Sequence, residues 1–257
     1  MRTLAYCMQK GGVTKTVSAA HAAVYLARRG HRVLAVDLDQ QANLTRYLLS
    51  EEAYEDLNDD LVEVFLEGRS IREVITPTLH KDLDLAPSSP DMARLSSGLT
   101  SIPRREEVLR RALRPVADDY DFAVIDCAPA ADLVVQNALA AADWLVMPVE
   151  CSNFCLTGLS DFWNWVEAFR QYEVHNAQWL GVVLSKVDPN TRIYRAMKEA
   201  LAESPFEVLA EVPKRVGVED LVANRHVASN VVMPDLAVPY EQMVDRILER
   251  TMETAGA

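Results

Sequence analysis

The 257-residue chain is poor in cysteine and in positive charge, and it has no long apolar run. Its four cysteines are Cys7, Cys127, Cys151 and Cys155. The C-x3-C spacing of the last pair fits neither a zinc ribbon nor a thioredoxin motif. Cys7 and Cys127 sit in apolar, strand-like runs, so both read as small buried hydrophobes in a reducing compartment. Basic side chains number 26 against 38 acidic ones, a net charge of −12. That balance excludes a generic polyanion binder; contact with nucleic acid needs a local basic patch and will be salt-sensitive. No uncharged stretch approaches the ~20 apolar residues that span a bilayer. The N-terminal apolar run is short and broken by glycines, unlike a secretory signal. The expectation is a cytoplasmic protein with no membrane partner. Internal repeats, linkers and low-complexity segments are also missing, so one domain over residues 1–257 is expected.

What is present is a regular alternation of strand and helix patterns. "RTLAYCM" at 2–8 reads as a buried strand, followed by a glycine turn and a helix from about Lys15 to Arg29. "HRVLAVDLD" is the second strand, completing a unit that suits a parallel βαβ crossover. Residues 50–80 read as short peripheral helices, "LDLAPSS" as a short strand, and "RREEVLRRALRPVADDY" as a charged amphipathic helix. Four further strands follow in "DFAVIDCAP", "ADWLVMPVE", "WLGVVLSKVD" and "FEVLAEVP". Helices are expected at 132–142, 157–172, 191–202 and 238–253. The fold class is α/β: a doubly wound, mostly parallel sheet with helices on both faces, as in P-loop NTPases.

The chemistry is concentrated in "QKGGVTKTV" at 9–17, between the first strand and its helix. Glycines in such a turn let backbone N–H groups curl around phosphate oxygens, and the helix adds its positive end. Lys15 and Thr16 fill the positions of a phosphate-binding lysine and a magnesium-ligating hydroxyl. The usual G-x-x-x-x-G-K-[ST] loop is nevertheless broken, because Gln9 and Thr14 stand at its glycine positions. A double glycine before a helix is also a common turn. Three carboxylates weigh against that plain reading. Asp37 and Asp39 end the second strand and point to one side of it. Asp126 ends a third buried strand, where an acid opposite a phosphate loop suits a water-mediated magnesium contact.

"KGGVTKT" resembles the deviant Walker A motif KGGxxK[ST] of the ParA/MinD superfamily of ATPases. "RVLAVDLDQQANLT", "DDYDFAVIDCAPAADLVVQNALAAADWLVMPVE", "LAPSSPDMARL", "GVVLSKVDPNTR" and "EVPKRVGVEDL" resemble further stretches of the ParA branch, so the likeness spans nearly the whole chain. It implies an ATP-dependent, dimerising ATPase of the short ParA type that positions DNA or another cargo, using ATP and Mg2+. By the same resemblance, Lys10, Gly11, Gly12, Val13, Thr14, Lys15, Thr16 and Val17 hold the nucleotide. Lys10 is the signature lysine that reaches a partner subunit's phosphates, Lys15 is the P-loop lysine, and Asp39 orients the attacking water. Thr16, Asp37 and Asp126 serve the magnesium. The implied partners are a second copy in the ATP state, duplex DNA bound without sequence preference, and a ParB-like or other adaptor that stimulates hydrolysis.

Basic residues for DNA are offered by Arg192, Arg195 and Lys198, which recur every three residues on one expected helix, and by Lys214 and Arg215. The chain departs from its relatives at several places. Thr14 replaces a loop glycine, Val17 loses a hydroxyl, Ala128 stands for a proline, and Gly217 for an arginine. Slower or weaker use of ATP is the expectation, and the alternative is a degenerate nucleotide switch acting through a protein partner. "SKVD" at 185–188 also resembles the NKxD element that reads guanine, a minor reading beside the aspartate–proline pattern of the ParA branch. An iron–sulfur reductase would need cysteines at a dimer axis, and a membrane-targeted ATPase a basic amphipathic C-terminal helix. The C-terminal stripe of Tyr240, Met243, Val244, Ile247 and Leu248 is instead expected to dock on the protein's own sheet.

Overall fold

The computed structural model describes residues 1–152, 155–214 and 234–253. Its chain order is β1 (Arg2–Tyr6), α1 (Lys15–Arg28), β2 (Val33–Leu38), α2 (Asn43–Leu48), α3 (Glu51–Glu55), α4 (Ile71–Val74), β3 (Thr76–Pro77) and β4 (Leu83–Ala86). It continues through α5 (Leu95–Gly98), α6 (Val108–Leu113), β5 (Phe122–Cys127), α7 (Leu133–Ala141), β6 (Trp144–Glu150), α8 (Cys155–Gln171), β7 (Gln178–Val187), α9 (Arg192–Ala202), β8 (Val208–Pro213) and α10 (Pro234–Glu253). The strands form one eight-stranded sheet in the order β3-β4-β2-β5-β1-β6-β7-β8. Every neighbouring pair is parallel except β3 with β4. The doubly wound α/β architecture expected from the alternation of elements is therefore the one observed.

Side-chain alternation along the strands divides the core into two halves. Leu4, Tyr6, Val33, Ala35, Phe122, Val124 and Val146 pack with α1, α2 and α10 on one face. Ala5, Leu34, Val36, Ile125, Leu145 and Met147 pack with residues of α6, α7 and α8 on the other. Because both faces are covered, β2 and β5 are buried at every position and apolar except for Asp37 and Asp126 near their carboxyl ends. Each fully buried Leu, Val or Ile contributes about 1.5–3 kcal/mol of transfer free energy. The C-terminal stripe docks as expected: Tyr240, Met243, Val244 and Ile247 have no solvent exposure, and Leu248 packs against the same cluster.

Three local expectations change. The edge strand β3 is only two residues long and antiparallel, too short to leave a period-2 signal. The charged segment at 104–120 is not one helix. It runs as a 3-10 turn (Arg105–Glu107), the short α6, and a second 3-10 turn (Arg114–Val116) containing Pro115, whose ring ends the α-helical pattern. Residues 50–80 are indeed short helices, but Leu61, Val64, Phe65, Ile71 and Val74 are buried in the core rather than peripheral.

The sheet places β1 between β5 and β6. The connection from β1 leads to β2 on one side, and that from β5 leads to β6 on the other. The carboxyl end of β1 is thus where the windings diverge, the usual crevice for ligands in open α/β sheets.

Candidate phosphate-binding site

The loop between β1 and α1 lies at that crevice. Gly12 has φ 71° and Thr14 has φ 66°, ψ 26°, so both are left-handed. Glycine adopts this region freely, whereas a β-branched threonine pays for it. Thr14 therefore holds the backbone shape of a glycine loop at a cost of order 1–2 kcal/mol. A β-carbon added at Gly11 or Gly12 would meet nothing within 4 Å, so the space beside both glycines is open. Thr14 is also the N-terminal cap of α1, yet its side chain caps nothing. Its hydroxyl instead donates to the Val13 carbonyl at 2.6 Å. The first-turn N–H groups of a 14-residue helix are left without a side-chain acceptor, which is the arrangement an anion satisfies.

Lys15 is almost fully buried, and its ammonium donates to the Lys10 carbonyl at 3.1 Å, bridging the loop. Burial lowers its pKa, and Asp126, Cys127, Asp39 and Cys7 push it back up in that order. The loop is tied to the sheet by Ser185, whose hydroxyl donates to the Val13 carbonyl at 3.3 Å. Lys10 turns to its own subunit: its ammonium pairs with Glu150 at 3.3 Å and donates to Ser152 at 3.1 Å. Lys186, of the "SKVD" segment, pairs with the other oxygen of Glu150 at 3.5 Å.

The three carboxylates gather beside the loop, but their environments differ. Asp37 and Asp126 are register partners on β2 and β5 and are completely buried. Asp37 accepts hydrogen bonds from Asp39 N at 3.1 Å, Thr45 N at 2.9 Å and the Thr45 hydroxyl at 2.8 Å. Burial pushes its pKa up to about 7 despite these bonds. Asp126 accepts no hydrogen bond of ordinary geometry on either oxygen. Burial first, and then the Asp37 charge, raises its pKa well above the carboxylate range, while the Thr16 hydroxyl and the Lys15 ammonium pull it back. Asp39 accepts from Gln41 N at 2.9 Å through Oδ1, and its carbonyl accepts from the Ser88 hydroxyl at 2.6 Å.

An orphaned, fully buried carboxylate beside a threonine hydroxyl and a lysine ammonium fits a magnesium–phosphate group. Among the described residues no set of three or more His, Cys, Asp or Glu is arranged to grip a metal alone. A magnesium ion here would rely on phosphate oxygens, Thr16 and water, as Mg2+ commonly does.

Sequence reasoning missed Thr45, Ser88, Ser185, Glu150 and Ser152, which hold the site residues in place. Thr45 lies inside the "QQANLT" stretch, so that one was within reach; the others come from β6, β7 and the segments after β4 and β6. The basic residues are brought together only in part. Arg192 and Arg195 are exposed on α9, Lys198 is half-buried and bonded to Glu211, and Lys214 is exposed at the end of β8. Arg215 lies outside the described residues. Cys7 and Cys127 are buried; burial pushes Cys7 up to about 12 and Cys127 well above its usual range. Neither is a thiol that can reach a dimer surface. No helix among the described residues is long and apolar enough to cross a membrane.

A family profile described as an AAA domain matches residues 1–178. The chromosome partitioning protein ParA of Myxococcus xanthus is 33% identical over 223 residues, covering 85% of this chain and 77% of that protein. The sporulation initiation inhibitor protein Soj of Bacillus subtilis is 34% identical over 192 residues, 75% of each chain. A solved structure of cobyrinic acid a,c-diamide synthase from Mycobacterium smegmatis, with ADP and magnesium bound, superimposes with a TM-score of 0.82 at 27% identity. It covers 98% of this chain and 96% of that one.

Proposed function

Since the chain belongs to the ParA branch of the deviant Walker A ATPases, we propose that this loop binds ATP with magnesium and that the protein is a slow, dimerising ATPase that positions DNA or another cargo. The observation that carries the reading is the open left-handed loop with uncapped N–H groups, facing the orphaned Asp126.

In this reading the N–H groups of residues 11–16 cradle the phosphates, and Lys15 neutralises the β/γ oxygens from a fixed position on the Lys10 carbonyl. Magnesium would be held by Thr16, with Asp126 and Asp37 in its outer shell, and would supply charge neutralisation at the transferring phosphoryl group. Asp39 orients the attacking water. Its Oδ1 is committed to Gln41 N, which leaves Oδ2 as acceptor, and Ser88 fixes its backbone. Lys10 crosses to the partner's nucleotide. To do so it leaves Glu150 and Ser152, a cheap step because these are partly exposed contacts. Lysine charge from the partner then stabilises the transition state only in the dimer, which couples assembly to hydrolysis. The DNA surface is formed by Arg192, Arg195, Lys214 and Arg215, with a smaller share from Lys198.

The strained Thr14 favours a second reading, a nucleotide switch with little hydrolysis. Both readings are tested by Lys10→Ala. Light scattering should show ATP-driven dimers for the wild type and folded monomers for the variant. A variant that dimerises like the wild type removes the cross-subunit role. A wild type that dimerises with ATP but releases no phosphate favours the switch.

A further inference from the structure

Two lysines from different parts of the chain converge on one carboxylate at the carboxyl end of the sheet. Glu150 is the last residue of β6, and Lys10 lies in the loop that follows β1, the strand beside β6. The Lys10 ammonium meets Glu150 Oε2 at 3.3 Å, and the Lys186 ammonium meets Oε1 at 3.5 Å. Lys10 also donates to the Ser152 hydroxyl at 3.1 Å.

The chain that carries Lys186 is held in place. Ser185 is the register partner of Glu150, and its carbonyl accepts from Cys151 N at 2.9 Å. Its hydroxyl lies within hydrogen-bond distance of the Val13 and Val149 carbonyls, at 3.3 and 3.4 Å. Lys186 itself has φ 54°, a left-handed backbone that lysine does not favour. The pairing of β7 with β8 shifts register across this point. Such irregularities re-aim side chains, and the side chain here meets Glu150.

The sharing decides how firmly Lys10 is held. Two like charges on one acid repel each other, so each is held less tightly than it would be alone. When Lys10 departs, Glu150 keeps Lys186 and is not left as an uncompensated charge.

We propose that Glu150 and Lys186 are positioning residues for Lys10: Glu150 holds the lysine inside the free subunit, and Lys186 weakens that hold so that Lys10 can leave for the partner's phosphates. The inference rests on the reading in which Lys10 crosses the dimer. It gives the "SKVD" segment a task other than base reading. Asp188 of that segment is occupied in the turn before α9, accepting from Asn190 N at 3.0 Å.

The test measures dimer dissociation constants by sedimentation velocity, with magnesium and a saturating non-hydrolysable ATP analogue. A dimer must release two lysines, so a hold of about twofold per subunit, ordinary for a partly exposed pair, becomes about fourfold in the dimer constant. Glu150→Gln should tighten the dimer by that factor. Lys186→Ala should loosen it similarly, because Glu150 then holds Lys10 undivided. Both shifts should fade as salt rises. A merely structural role would move both variants the same way. Glu203→Gln removes the same charge where α9 ends, on its way to the start of β8, and should change nothing. In the nucleotide-free protein, acylation of Lys10, read by mass spectrometry against the exposed Lys81, should speed up in Glu150→Gln and slow down in Lys186→Ala. Shifts of one sign, no shift, or an equal shift in Glu203→Gln overturn the proposal. If Lys10→Ala dimerises like the wild type, the crossing falls, while the acylation rates still decide the resting contact. If Lys10→Ala stays monomeric and the other variants match the wild type, the resting contact alone falls.

Discussion

Thr45 donates twice to Asp37, from its backbone N–H at 2.9 Å and from its hydroxyl at 2.8 Å, both to the same carboxylate oxygen. The Thr45 hydroxyl in turn accepts from Ser88 N at 3.0 Å. One threonine thus joins the end of β2 to the loop after β4. Asp126, the register partner of Asp37 on β5, has no such support. Two adjacent buried carboxylates are therefore prepared for different tasks. Asp37 is braced by three protein donors, and Asp126 accepts from none.

Thr45→Val keeps the shape and the backbone donor but removes the hydroxyl. Asp37 loses one bond and Ser88 N loses its acceptor, at a cost of about 1–3 kcal/mol. Urea unfolding of the nucleotide-free protein measures this. Asp126→Asn should go the other way and stabilise the nucleotide-free protein, because it relieves the conflict between two buried carboxyl groups on neighbouring strands. A neutral Thr45→Val would mean that the Asp37 network contributes nothing measurable.

His21 is held neutral by burial, which lowers its pKa to about 4, against an unfolded value near 6.5. The unfolded chain takes up this proton first as pH falls. The contribution of His21 is therefore complete above pH ~6.5 and is lost as pH drops towards ~4, by up to roughly 3 kcal/mol. Asp37, with its pKa raised to about 7, has the opposite slope: its contribution is present below the unfolded carboxylate value and is lost as pH rises through ~7. The difference between His21→Phe and wild type, not the whole profile, isolates the histidine. Melting curves between pH 7 and 4.5 should show a shallower acid limb for His21→Phe. Superimposable limbs would remove His21 as the titrating group.

On α9 the exposed Arg192 and Arg195 differ from Lys198, which is engaged with Glu211, itself also bonded by the Tyr194 hydroxyl at 2.7 Å. In the ATP state, Arg195→Ala should lower the log–log salt slope of duplex binding by about 0.9 for each phosphate that is no longer neutralised. Lys198→Ala should change it less. Glu211→Gln should free the lysine and tighten binding. Fluorescence anisotropy across a salt series reads all three. Equal losses for Arg195→Ala and Lys198→Ala would show that the ion pair opens on DNA at no cost.

The sequence alone determined the central parallel strands, because buried strands between helices must be apolar on both faces. It also determined the loop between β1 and α1 and the carboxylates at the ends of β2 and β5. Each of these is a local pattern: a period, a glycine pair, an acid at the end of an apolar run. It could not determine that Thr14 adopts the glycine conformation, since a β-branched residue has no local preference for a positive φ. Nor could it distinguish Asp37 from Asp126, which look alike in their strands. The two differ because Thr45 from α2 and Ser88 from beyond β4 close on one of them and not on the other. The same holds for Lys198, neutralised by Glu211 from β8, and for Tyr240, laid over α1 by a helix more than two hundred residues away in the chain. Hydrogen bonding and charge pairing act over ångströms in space, so which partner each buried polar group finds was decided only when the strands and helices packed.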